Sequence, residues 1–406
     1  MSRVALIAVL FLGLAAASTV PVQADEQPQV TKGVAKLLKA ADEARQAKNY
    51  TECIAKAKEA AAVSGRSAYD NYVINSLLMA SYGAQGNYSE VTTYMEQVVD
   101  SQYLPAANKA TILRTLMSLA YQQKQYDKAV QWGERARTAG DSNPDVALTI
   151  AQANYLLGKY KEAMTEMESI VSRDEAAGRK PSEKGLNVIW ACAIKLKDDA
   201  SASKAIEKLI LHYPKPDYWS NAMASISSSQ INDDRLKLMT YRLMSTVGIL
   251  KQGGQYREMA QIALDQGNPG EAQSAIEQAF AKNLFTDPHD KDSNQRLLDA
   301  AKKAAARDRA SMPQSEKDAA ASPSGDAAVQ LGGAYLGYGQ PDKALASIQA
   351  GIAKGKLKNA DEAYLLLGIA EERNKNNGEA IKAFNKVTGD PKYVRLAKLW
   401  ALEARS

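Results

Sequence analysis

The stretch Gly158-Lys159-Tyr160-Lys161-Glu162-Ala163 separates an alanine-rich helical run that ends at Leu157 from a second helical run that ends near Val171. Glycine can end the first helix in a left-handed conformation, which other residues adopt only with strain. The tyrosine fills the corner of the turn, and the small side chain of Ala163 lets the two helices approach closely. The stretch therefore predicts a hairpin of two antiparallel helices.

The same kind of turn returns along the chain. Further copies read Gly86-Asn87-Tyr88, Lys124-Gln125-Tyr126, Gly267-Asn268-Pro269 and Gly339-Gln340-Pro341. Numbered by the residue that opens the second helix, the turns fall at positions 50, 88, 126, 160, 199, 233, 269, 341 and 377. A spacing of about 34–39 residues is typical of a solenoid of two-helix repeats. We predict an all-α solenoid of about ten helix-turn-helix units, closed by a capping helix near the C-terminus.

One interval, between the turns at 269 and 341, is twice the usual length. Residues 286–324 lie within it, and their second half is rich in Ser, Pro and Gly. Such a composition indicates a loop. We predict that 25–285 form an N-terminal array, that 286–324 are a degenerate repeat or a flexible insert, and that 325–406 hold the last units and the capping helix.

Two of the units carry a family pattern: a leucine-glycine pair and an aromatic in the first helix, then a turn and a small residue in the second helix. The matching residues are Leu331, Gly332, Tyr335, Gly339 and Ala344 in one unit, and Tyr364, Leu367, Gly368, Ala380 and Phe384 in the next. From residue 34 to 390 the chain resembles the tetratricopeptide repeat (TPR) family. The resemblance implies a non-enzymatic scaffold whose first helices line a groove that holds a protein or peptide.

Carried over by position, the resemblance implies a set of groove residues on three successive first helices. They are Arg114, Ser118 and Tyr121, then Leu148, Gln152 and Tyr155, then Asn187. A second candidate contact cluster is Tyr213, Tyr218 and Trp219, which stand around two prolines, Pro214 and Pro216. Rigid aromatic side chains often carry interface energy, but these three could equally pack at the joint between two repeats.

The segment Ile210–Trp219 resembles part of the TPR proteins of Gram-negative bacteria that are grouped with the TonB energy-transducing transport system. Residues 1–24 show the pattern of a secretory signal peptide, with Arg3, an apolar centre and Val22-Gln23-Ala24 before the cleavage point. We therefore expect export and a periplasmic location, with no membrane span after cleavage.

Charge and rare residues narrow the function classes. The formal net charge is +5, or +4 once Arg3 is removed with the leader, and it is spread along the chain. This balance predicts no nucleic-acid partner. With two histidines, and two cysteines at unrelated positions, we expect no catalytic, metal or cofactor site. The sequence predicts a periplasmic interaction scaffold that assists TonB-type transport; the alternative is an accessory of polysaccharide export or cell-wall assembly that binds a sugar polymer or its enzymes.

Overall fold

The computed structural model of the protein describes residues 28–227 and 233–405, and all regular structure within these ranges is helical. The predicted signal peptide and part of the sixth predicted turn, Ile231 and Asn232, lie outside the described residues. The chain divides into two compact units. Unit 1 comprises the described residues up to Ala177 together with 191–197, and unit 2 comprises 178–190 and 198–405. The sequence predicts no boundary between residues 177 and 198, because the repeat pattern continues through this part of the chain without a change in composition.

Unit 1 contains four helical hairpins, in which each helix packs against the next one along the chain. Their helices are α1 (Lys32–Gln46), α2 (Tyr50–Ala62), α3 (Ala68–Ala84), α4 (Tyr88–Val99), α5 (Ala106–Gln122), α6 (Tyr126–Thr138), α7 (Pro144–Leu156) and α8 (Tyr160–Ala176). The next helix, α9 (Glu183–Leu196), contributes residues to both units. The predicted solenoid of helical hairpins is confirmed.

The turns adopt the predicted left-handed conformation. Gly86 and Gly158 have φ of 72° and 78°, and Lys48 and Lys124 take the same conformation with φ of 60° and 61°. The side chain of Asn87 then accepts a hydrogen bond from the amide of Glu90 and caps the following helix. The backbone geometry of the turn is therefore kept even where the glycine is absent.

Small residues let neighbouring helices pack closely, both within a hairpin and between successive hairpins. Ala163 is fully buried, and Gly133 of α6 lies so close to α7 that a Cβ atom there would be 2.6 Å from Ile150 Cγ1. In unit 2, a Cβ on Gly332 would lie 2.3 Å from Ile348 Cγ1. Interiors packed at this density tolerate no added methyl group without a shift of the neighbouring helix.

Unit 2 begins with part of α9 and continues to the C-terminus. Its further helices are α10 (Asp199–His212), α11 (Pro216–Ser227), α12 (Asp234–Thr246), α13 (Gly253–Asp265), α14 (Pro269–Ala281), α15 (Pro288–Ala321), α16 (Asp326–Gly337), α17 (Pro341–Lys354), α18 (Ala360–Arg373), α19 (Asn377–Phe384) and α20 (Pro391–Glu403). The pairs α13/α14, α16/α17 and α18/α19 are regular hairpins.

Residues 286–324, for which we predicted a degenerate repeat or a flexible insert, are largely helical in the structure. The segment contains one continuous helix, α15, of 34 residues with Pro313 inside it. Its buried residues Leu298, Ala301, Ala305 and Met312 recur every three, four or seven residues, so one face of the helix packs on the rest of unit 2. A proline removes one helical hydrogen bond, but tertiary packing along both halves outweighs that local cost.

Three side chains from neighbouring helices hold the C-terminal half of α15. The hydroxyl of Tyr338 donates to a carboxylate oxygen of Asp308 at 2.7 Å, and the hydroxyl of Tyr335 donates to Glu316. At the end of the helix, the ammonium group of Lys354 donates to the carbonyl oxygens of Ala319, Ala320 and Ser322. These contacts arise from residues about 20 to 35 positions further along the chain, so local composition does not reveal them.

The C-terminal helix α20, predicted as a cap, is mostly buried, because it packs not only on α18 and α19 but also on α10, α11 and α12. Arg395 donates to the hydroxyl of Ser203 at 2.9 Å, and the hydroxyl of Tyr393 donates to Asp233 at 3.0 Å. Unit 2 is therefore not an open row in which each repeat touches only its neighbours.

Candidate partner-binding groove

In each repeat, the predicted groove residues stand ten, six and three positions before the turn residue that has positive φ. On α5 these are Arg114, Ser118 and Tyr121, before Lys124; on α7 they are Leu148, Gln152 and Tyr155, before Gly158. Spacings of four and three residues place side chains on one face of a helix. We call this surface the groove face of the repeat. All six side chains are partly exposed.

The two groove tyrosines of unit 1 are held by the tyrosines of the turns. The rings of Tyr121 and Tyr126 meet edge to face with centroids 5.6 Å apart, and those of Tyr155 and Tyr160 do the same at 5.3 Å. Burial raises the pKa of Tyr121, so its hydroxyl stays protonated and can donate a hydrogen bond at physiological pH. The repeats of α5 and α7 thus each present a rigid aromatic side chain with a polar tip.

Arg114 is anchored within unit 1. Its guanidinium contacts a carboxylate oxygen of Asp141 at 3.1 Å, and the same oxygen accepts the backbone amide of Asn143 at 2.9 Å. The Asp141 side chain is only 4% exposed, whereas that of Arg114 is 33% exposed. Arg114 can therefore offer its outer surface to a partner, but its charge is already balanced by a buried carboxylate.

The groove face extends to residues that the sequence analysis did not select. At the same offsets, α3 presents the small residues Ser76, Ala80 and Gly83, and α1 presents Asp42 and Arg45. The last two form an ion pair with a 2.6 Å contact. The offset from each turn residue was enough to find them. The groove face of unit 1 is therefore charged on α1, flat on α3 and mixed polar and aromatic on α5 and α7.

Asn187, Tyr213 and Tyr218 lie in unit 2 and belong to one hydrogen-bonded cluster. The side-chain amide of Asn187 donates to the hydroxyl of Tyr218 at 2.8 Å, and the hydroxyl of Tyr213 donates to the carbonyl of Pro181 at 2.8 Å. Lys215 and Tyr218 both donate to Glu183, and these hydrogen bonds lower the pKa of that carboxyl. The cluster ties the segment around Pro214 to the start of α9.

Trp219 differs from the other residues of the predicted contact cluster. It is 3% exposed, so it packs inside unit 2 and does not offer its ring to a partner in this structure. For Trp219, the structure therefore favours packing at a joint between repeats over contact with a partner. Tyr213 and Tyr218 keep partly exposed rings, and Lys180 lies 3.8 Å from the ring centre of Tyr213.

In the last repeats of unit 2 the groove face is covered. The residues at the same offsets are Val329, Gly333 and Leu336 on α16, and Leu365, Ile369 and Glu372 on α18; all except Glu372 are buried. Helix α12 faces part of this surface, at Gly333 of α16 and Leu366 of α18. Its residues Leu238 and Met239 line a cavity of about 40 Å³ together with Gly333 and Leu366.

Two arginine ion pairs join α12 to α18 and to α14. Arg235 contacts Glu362 of α18 at 2.8 Å, and Arg242 makes a two-pronged contact with Glu271 of α14 at 2.7 and 2.5 Å. The Arg242 and Glu271 side chains are 2% and 8% exposed, so this pair is buried. The sequence pattern does not predict these contacts, because each joins residues far apart in the chain.

No group of three or more His, Cys, Asp or Glu side chains in residues 28–227 and 233–405 could hold a metal ion. Among the helices that the structure describes, none has the length and apolar character needed to cross a bilayer.

Residues 329–393, which run from α16 into α20, match the sequence profile of the tetratricopeptide repeat. No curated protein matches the chain. Similar solved structures include a MamA variant (16% identity, TM-score 0.31, 43% of this chain and 89% of that one). Others are YrrB, described as a TPR protein with an unusual peptide-binding site (12%, 0.33, 47% and 91%), and a TPR protein from Parabacteroides merdae (13%, 0.29, 81% and 98%). Residues 329–393 thus have a TPR-like sequence, and the succession of helical hairpins gives the chain a TPR-like solenoid fold.

Proposed function

We propose that the protein is a non-enzymatic scaffold that binds a protein or peptide partner on the groove face of unit 1. One observation carries the proposal: the groove positions of α5 and α7 are open, whereas the same positions on α16 and α18 are covered by the chain itself. An open face with fixed aromatic side chains can bind a partner without first ordering those side chains, which lowers the entropic cost of association.

The chemistry of the open face favours a peptide. Tyr121, Tyr155 and Ser118 supply hydroxyl groups, Gln152 supplies an amide, and Leu148 supplies a small apolar surface. Backbone amides and carbonyls of a peptide satisfy such groups, and an apolar side chain can cover Leu148. With Arg114 paired to Asp141, nothing in this face demands a strongly acidic ligand.

The role that we assign to this scaffold is assistance to a TonB-type transport assembly in the periplasm. It is supported by the leader-like residues 1–24 and by the resemblance of Ile210–Trp219. Fractionation of cells that produce the full chain tests the location, and N-terminal sequencing tests the cleavage. A periplasmic product that begins at Asp25 is expected; a cytoplasmic product that retains residues 1–24 would contradict the location.

Site-specific photo-crosslinking tests the groove. A photo-reactive amino acid at Gln152, on the groove face of α7, should yield a discrete protein adduct in cells. The matched control is Gln131, an exposed glutamine on the second helix α6. Equal adducts at both positions, or none at Gln152, would contradict the proposal. An adduct that disappears after digestion with polysaccharide hydrolases would favour the sugar-polymer alternative, and recovery of TonB-system proteins would support the transport role.

A further inference from the structure

Helix α12 presents one face to the C-terminal repeats of unit 2. Arg235, Leu238, Met239 and Arg242 stand at positions i, i+3, i+4 and i+7, which is the spacing of one helical face. All four line the cavity over α16 and α18. The pattern of two cations flanking two apolar residues is the face of a basic amphipathic helix laid in a groove.

The receiving surface is complementary to that face at both ends. Glu362 pairs with Arg235, and Glu271 pairs with Arg242 through both of its carboxylate oxygens. Between them, Gly333 has no side chain, and no atom of α12 lies within 4 Å of an ideal Cβ there, so the floor of the groove is open beside α12. An ideal Cβ at Gly333 would lie 3.7 Å from an Asn268 oxygen, its nearest neighbour.

Helix α12 is held in a different way from the second helices of regular repeats. The hairpins α5/α6 and α16/α17 pack along their full length, whereas the described residues of α11 and α12 barely touch. The cavity of about 40 Å³ beside Met239 also has room for water, which a close-packed hairpin does not leave. At the Arg235 end, the arginine side chain is 42% exposed, so this ion pair is open to competition from solvent and from other cations.

We propose that the groove over α16 and α18 is a binding site for a basic amphipathic helix. The chain's own α12 fills this groove in the structure. A partner helix with the pattern Arg-x-x-Leu-Met-x-x-Arg takes the place of α12. This site lies in unit 2 and is separate from the peptide-binding face proposed for unit 1. The two glutamates select cations at both ends of the helix, so an acidic helix is excluded by like-charge repulsion.

The occupant lowers the apparent affinity of any competitor, because only chains with an empty groove can bind it. The substitution Arg235→Glu sets two carboxylates against each other at the Glu362 end and weakens the hold on the chain's own α12. A labelled synthetic peptide of residues 233–247 keeps its arginines. By fluorescence anisotropy, this peptide should bind the full-length Arg235→Glu chain at least ~10-fold more tightly than the unchanged chain.

The controls separate recognition from unfolding. The same peptide with both arginines replaced by glutamine should not bind, and a Gly333→Trp chain that also carries Arg235→Glu should lose the gain in affinity because the groove floor is filled. If Arg235→Glu does not melt cooperatively, Arg235→Gln replaces it. Equal peptide binding by the unchanged and substituted chains, both folded, would overturn the proposal. A substituted chain that dimerises and excludes the peptide would also overturn it, since the occupant would then be α12 of a second copy.

Discussion

Leu148 and Leu365 occupy the same position in their repeats, ten residues before the turn, and yet meet opposite environments. Leu148 of unit 1 is partly exposed on an open groove face, whereas Leu365 of unit 2 is fully buried. The repeat sequence sets where a side chain points, but what lies in front of it depends on packing between distant segments. The same repeat position is thus accessible to a partner in one unit and part of the core in the other.

The largest expected effect is at the buried ion pair that anchors α12. Arg242→Ala leaves the carboxylate of Glu271 buried without its partner, and we expect a loss of about 3–5 kcal/mol in the free energy of unfolding. Denaturant titration of unit 2 signals measures it. Lys237→Ala, on the same helix but partly exposed, is the control and should change the free energy by less than ~0.5 kcal/mol. A mild effect of Arg242→Ala would show that α12 contributes little to the covered groove.

The leucine pair gives the direct test of the contrast between units. Leu365→Ala should destabilise by about 2–5 kcal/mol, since a fully buried side chain leaves a cavity. Leu148→Ala should cost less than ~1 kcal/mol and instead weaken the partner adduct formed at Gln152. Thermal melts and crosslinking yields provide the two readings. Similar losses of stability at both leucines would remove the distinction between an open and a covered face.

We expect the two helices of a hairpin to pack in the same way in both units, so that the units differ in the exposure of the groove face and not in hairpin packing. Ala163 of unit 1 and Ala344 of unit 2 are both fully buried where two helices meet. Ala163→Leu and Ala344→Leu should each destabilise by about 1–3 kcal/mol through overpacking. Lys159→Ala, at an exposed turn position, should have almost no effect. Unequal costs of the two enlargements would show that the hairpins of the units are not built alike.

The units should also differ in how stability depends on pH. In unit 2, burial and then the neighbouring Glu403 raise the pKa of Glu372 from 4.5 to about 8. The folded state then holds a proton that the unfolded state has lost, so stability falls as pH rises from about 4.5 to about 8. In unit 1, burial by itself raises the pKa of Asp70, but hydrogen bonds from Ser67 and Thr31 outweigh burial and lower that pKa. The stability that Asp70 contributes is therefore lost as pH falls below 3.8.

The Glu372→Gln substitution isolates the unit 2 contribution. The difference in unfolding free energy between pH 5 and pH 8 should be smaller in this variant than in the unchanged chain. The decrease should be about 1–2 kcal/mol, a figure that allows for solvent screening and for the proton that Glu372 shares with Glu403. Asp70→Asn should leave that difference unchanged and should alter stability above pH 4 instead. A pH difference that persists in Glu372→Gln would assign it to other groups.

The sequence alone determined the repeat. Turn residues such as Gly86 and Gly158, and small residues such as Ala163, specify hairpins through contacts between residues a few positions apart, and these appear in the structure as predicted. The family resemblance also selected candidate groove residues of α5 and α7, and the structure places them on matching faces of these helices; their role in binding stays a prediction. Local rules suffice there because each hairpin is stabilised mainly by its own two helices and the next one along the chain.

Only the tertiary structure decided which groove is open, why α15 is continuous, and that Trp219 is buried. These outcomes depend on contacts such as Arg235 with Glu362 and Tyr338 with Asp308, which join residues 127 and 30 positions apart. The composition of the Ser- and Pro-rich second half of 286–324 indicates a loop, but contacts with neighbouring helices hold it in the helix α15. Local patterns encode the repeat, whereas the closing of one groove results from long-range packing that no local pattern contains.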